Sequence, residues 1–157
     1  MPSENTSKTQ KILNFCSESD LEDKVNSIAE HMGFSDEQKQ ELVDYFQDHM
    51  SQLYSMSLEY SLKKSDKEYG DEERDYVEEE FTNQLNFWWL ETQSEWVRLN
   101  NLSNFKSGIL GQTDKMLQAK ASVCSHFLNP VAKHLDSEVL ESSMDFLLTL
   151  VKRSQLE

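Results

Sequence analysis

The stretch LVDYFQDHMSQLYSMSLEY, residues 42–60, decides the fold. Leu42, Phe46, His49, Leu53, Met56 and Tyr60 follow one another at steps of 4, 3, 4, 3 and 4, with Val43, Met50 and Ser57 beside them at intervals of seven. A strand would alternate apolar and polar positions. A helix instead brings residues three and four apart onto one side, and a seam sustained this long belongs to a long helix packed along its length. Just upstream, Ser35 and Gln38 have the spacing of a capping box, in which a hydroxyl and a side-chain amide each satisfy one orphan backbone N–H. The helix is therefore predicted from there to about Lys67, with a break near Gly70, which stands alone between Gly33 and Gly108.

Toward the N-terminus, Leu21, Val25, Ile28 and Met32 form a shorter stripe behind a second capping box, Ser19 and Glu22, and Gly33 supplies a stop. That predicts a short helix over about 20–32. Residues 1–17 are expected to be a flexible tail, with Ile12, Leu13 and Phe15 as an apolar patch able to staple onto the first helix. The remainder, 18–157, is expected to be a single helical domain.

Beyond Gly70, the pattern restarts at Asp71, and Val77, Phe81, Leu85, Trp88, Thr92 and Leu99 lie near one face. Asn100 to Asn104 is expected to be a polar joint. A further helix follows with Ile109, Met116, Val123 and Phe127 on one stripe. Asn129-Pro130 has the N-cap and first-position signature of a corner, and Leu140, Met144, Leu147 and Val151 mark a last helix.

Composition agrees. The 157 residues include only four glycines and two prolines, too few to punctuate a sheet protein that turns every eight to twelve residues. Eight Phe, five Tyr, three Trp and six Met can fill a core despite a hydrophobic content of 37%. The expected class is all-α: an antiparallel, up-down bundle of about four long helices with one short N-terminal helix, because short connections make neighbours antiparallel. A seam as long as that of 42–60 serves equally within one chain or across a homodimer.

The charge is unevenly placed. Residues 18–80 hold 20 Asp and Glu against six Lys and Arg, a net of −14, whereas the flanks hold nine of each sign and cancel. Its densest part is Asp71, Glu72, Glu73, Asp75, Glu78, Glu79 and Glu80, expected at one tip of the bundle. Such a field attracts basic partners and repels phosphate backbones, so direct nucleic-acid binding is not expected. The carboxylates do not follow the ligand order of an EF-hand.

Signatures of catalysis are missing. There is no G-x-S-x-G, no P-loop, no G-x-G-x-x-G, and neither of the two Glu-x-x-His motifs of a di-iron bundle. Cys16 and Cys124 fit no zinc spacing, and Cys124 and His126, two apart, point to different sides of a helix. His134 and Glu138 are the one i, i+4 pair suited to a metal. No apolar run suits a secretory signal or a membrane span, so a cytoplasmic location is expected, with no cofactor, no metal and no catalytic residue.

The reading is of a non-catalytic adaptor, chaperone or inhibitor that docks a basic protein through the acidic cluster, with Trp89 or Trp96 as an aromatic anchor. Two alternatives are a bundle holding an apolar ligand or lipid-like surface through its Phe87–Trp88–Trp89–Trp96 arc, and an inhibitor whose carboxylates imitate nucleic-acid phosphates.

Overall fold

A computed structural model describes residues 8–17, 19–66, 68, 70–111 and 114–143. These form α1 (Lys8–Ser17), α2 (Ser19–His31), α3 (Asp36–Ser65), α4 (Asp71–Leu110) and α5 (Lys115–Ala132). After a turn at 133–136 the chain is helical again over 137–143, and no described residue is in a strand. The class is all-α, with helices packed on helices.

α3 begins where its capping box requires. The Gln38 N–H donates to Ser35 Oγ at 3.3 Å and the Ser35 N–H to Gln38 Oε1 at 3.0 Å. Gly33, at φ +70°, ends α2 in the left-handed region, where the Phe34 N–H reaches back 3.0 Å to the Ala29 carbonyl. Leu42, Phe46, Leu53, Ser57 and Tyr60 are the buried side of α3. That helix touches α1, α2, α4 and α5 and so stands at the middle of the molecule.

α3 and α4 run antiparallel. Near their connection Tyr60 stacks on Phe81, with centroids 4.4 Å apart, and towards the other end Tyr45 meets Glu95. α4 and α5 are antiparallel as well: Trp89 reaches Leu128, and Lys106 reaches Asp114 close to the turn between them. Phe127, fully buried, ties the layers together by contacting the rings of Phe15, Phe46, His49 and Trp88.

Three boundaries differ from those expected. Residues 8–17, assigned to the tail, form α1, which packs on α3 with Ile12 only 1% exposed. The joint at 100–104 is absent, and α4 runs on for 40 residues. There, Leu99 and Ser103 are buried, Leu99 packs with Ala121 and Cys124, and the Asn100 side chain donates back to the Trp96 carbonyl at 2.8 Å. Packing thus outweighs the weak helix propensity of the asparagines. α4 stops at Gly111, at φ +65°. Pro130 lies within the last turn of α5 and not at a corner, because burying Leu128 and Val131 offsets the loss of one backbone bond near a helix end. The expected stripe residues Met144, Leu147 and Val151 lie outside the described residues.

Candidate docking surface

The acidic cluster occupies the first three turns of α4. Asp71, Glu72, Glu73, Asp75, Glu78 and Glu79 are exposed and Glu80 is half-buried. Asp71, Glu72 and Glu73 fill the first turn, where the helix dipole favours anions, and Gly70 at the N-cap provides no side-chain cap of its own. Beside it α3 ends with Lys63 and Lys64 in its last turn. The two helix ends present opposite dipoles side by side, so the field of this tip comes from its side chains. Among the described residues none of the seven carboxylates from Asp71 to Glu80 takes part in an ion pair. Their charge is turned to solvent.

The tryptophans are placed elsewhere. Trp89 is 5% exposed, and its indole N–H donates to the Leu128 carbonyl at 2.9 Å, which fixes it in the core between α4 and α5. Trp96 is half-buried and packs between the two apolar clusters of the bundle. The aromatic anchor expected at Trp89 is therefore corrected: its polar handle is spent inside the fold. Trp96 lies sixteen residues from Glu80, about 24 Å along the helix. The structure does not bring these rings to the acids.

Other rings stand beside the acids. Tyr76, Glu80, Asn83, Phe87 and Leu90 follow at steps of 4, 3, 4 and 3 along the outer side of α4. Tyr76 is 68% exposed, Phe87 63% and Leu90 39%. A shallow groove of about 370 Å³ is lined by Tyr76, Glu79, Glu80, Asn83, Gln84 and Phe87. Phe87 also borders a second, larger groove of about 620 Å³ between α3 and α4, where Glu91, Glu95 and Arg98 face His49 and Gln52. From the sequence Tyr76 is not singled out, and Phe87 falls in the aromatic arc with the tryptophans and not beside the acids. The available signal was the outward stripe, one residue out of phase with Phe81, Leu85, Trp88 and Thr92.

One polar cluster joins α3, α4 and α5 at the edge of the core. The Tyr45 hydroxyl donates to Glu95 Oε1 at 3.3 Å and lies 3.4 Å from Cys124 Sγ, while Arg98 binds both oxygens of Glu95. The Arg98 hydrogen bond, aided by its charge and by Tyr45 and opposed by burial, holds the Glu95 carboxyl below its ordinary range. Burial pushes the Cys124 thiol up to about 11 and the Cys16 thiol up to about 12, so both are protonated at neutral pH and poor nucleophiles. His49 is held at Nδ1 by the Tyr45 carbonyl, 3.0 Å away, and is stacked on Phe127.

Among the described residues no three His, Cys, Asp or Glu side chains are grouped as a metal ion would need, and no helix is long and apolar enough to cross a membrane. Comparisons of the chain with protein families, with curated proteins and with solved structures returned no match.

Proposed function

We propose that this protein acts by docking a basic macromolecular partner on the outer face of α4, without catalysing a reaction. One observation supports the reading: exposed apolar side chains, Tyr76, Phe87 and Leu90, are interleaved with carboxylates that have no ionic partner among the described residues. Charge on such a face steers encounter and selects the partner, and a desolvated ring at its centre supplies affinity. Phe87 has that position, bordering both grooves and lying seven residues from Glu80, about 10 Å.

The test compares three immobilised proteins in capture from host lysate with salt-gradient elution: the parent, a variant with Glu72, Glu73, Glu78, Glu79 and Glu80 changed to Gln, and Phe87→Ala. A basic protein held by the parent, released at moderate salt, lost by the five-fold variant and weakened by Phe87→Ala is the expected result. Retention of the same proteins by all three, or of none by any, refutes the proposal.

A second reading is favoured by the neutral groove of about 330 Å³ in which Trp89 and Trp96 face Leu128 and Leu140. An apolar ligand seated there changes tryptophan emission and binds with little dependence on salt.

A further inference from the structure

One concave place on this acidic chain is lined by cations. Where α1, α2 and the end of α5 meet lies a pocket of about 450 Å³. Its floor is core: Ile12, Leu21 and Val131 are almost fully buried, with Phe15 beside them. Its rim is cationic. Lys11 comes from α1, Lys24 from α2, and Lys133 from the turn after α5, and none of the three forms an ion pair among the described residues. His126, Asn129 and His134 add to the polar wall, and among the described residues no carboxylate lines it. The grooves on α4 differ: one has Glu79 and Glu80, another Glu91 and Glu95 against Arg98, and the one at Trp89 and Trp96 holds no lysine among the described residues.

Lys24 of α2 and His126 of α5 line the same pocket, and the Lys24 ammonium, second to burial, holds the His126 pKa below its ordinary value. An ammonium from α2 thus acts on an imidazole from α5, across the pocket. Three ammonium groups that line one pocket without an ion-pair partner among the described residues favour a ligand that supplies the counter-charge. A compact multiply charged anion suits ammonium groups, which bind phosphate as point charges. The apolar floor favours a ligand with a hydrophobic body behind that head, and the volume suits a small molecule.

We infer that this pocket binds a small organic phosphate, its phosphoryl group held by Lys11, Lys24 and Lys133 and its apolar part resting on Ile12, Phe15 and Leu21. The site is separate from the α4 face, and its existence does not depend on the docking proposal.

The experiment follows the imidazole resonances of His126 and His134 by NMR during titration with phenyl phosphate, inorganic phosphate and phenol. The parent, Lys24→Gln and Lys133→Gln are compared; both lysines are exposed, so their replacement leaves the fold intact. Saturable binding of phenyl phosphate is expected at His126, with an upward shift of its pKa as the anion offsets Lys24. Each lysine removed weakens binding by about tenfold, and inorganic phosphate binds less tightly than its phenyl ester. No saturation at millimolar concentrations, equal affinity in the lysine variants, equal affinity for inorganic phosphate, or binding of phenol as strong as that of its phosphate would each overturn the assignment.

Discussion

Phe127 offers the most direct test of how the helices are held together. It is fully buried and is the largest side chain so enclosed among the described residues. Its ring meets Phe46 at 5.6 Å and His49 at 5.9 Å in stacked geometry, and Trp88 at 5.8 Å and Phe15 at 6.0 Å edge-on. Phe127→Ala removes the ring and leaves a cavity bounded by α1, α3 and α4. Such a change costs about 3–5 kcal/mol, out of the roughly 5–15 kcal/mol that holds a domain folded. Phe127→Leu keeps most of the apolar volume and forfeits the ring pairs, a loss of about 1–2 kcal/mol. Urea unfolding followed by tryptophan emission reads both. With a slope near 2 kcal/mol per molar, the Ala variant's midpoint falls by about 2 M. A double-mutant cycle with Phe15→Leu should return a coupling of about 0.5–1.5 kcal/mol, since α1 meets α5 through these two rings. An Ala variant that loses less than about 1.5 kcal/mol, or a cycle with no coupling, would refute the packing described.

Three further outcomes are expected. The folded pKa of His126 is held down by burial and then by Lys24, so the unfolded chain takes up this proton more readily. The stability it contributes is therefore present above the ordinary value of 6.5 and lost as pH falls through the window below it; the urea midpoint should drop on acidification, and His126→Gln should flatten that slope. Ser35→Ala removes the acceptor of the Gln38 N–H and should cost about 1 kcal/mol in the same assay, the usual worth of an N-cap. Cys124 should react with a disulfide reagent only as fast as the bundle opens, and half-buried Cys16 sooner; labelling of native Cys124 at the rate of a free thiol would contradict its burial.

The features legible in the sequence were those written locally. The start of α3 is a capping box between residues three apart, the end of α2 is a glycine at positive φ, and the seam of α3 is a period no other structure shares. The acidic turns of α4 were equally plain, since exposure of a charge run needs no partner to explain it. What could not be read depends on contacts between distant residues. Asn100 to Asn104 has the composition of a joint, and only the docking of Leu99 on Ala121 and Cys124 keeps it helical. Ile12 and Phe15 read as a patch stapled onto the next helix, whereas Phe127, over a hundred positions away, closes on Phe15. Among four neighbouring aromatic and aliphatic residues, Phe87 to Leu90, a one-dimensional pattern fixes the arc but not which part a second helix will cover; α5 covers Trp89, and Phe87 is left in solvent. The cationic pocket is assembled from three helices and a turn, so no window of sequence contains it.

Phe127 also sets an order of events during synthesis. A ribosome delivers Phe15, Phe46 and Trp88 well before the ring that joins them. Until α5 has left the exit tunnel, the growing chain carries an apolar socket lined by three aromatic side chains and nothing to fill it. During that interval the net negative charge of 18–80, already synthesised, disfavours contact between nascent copies.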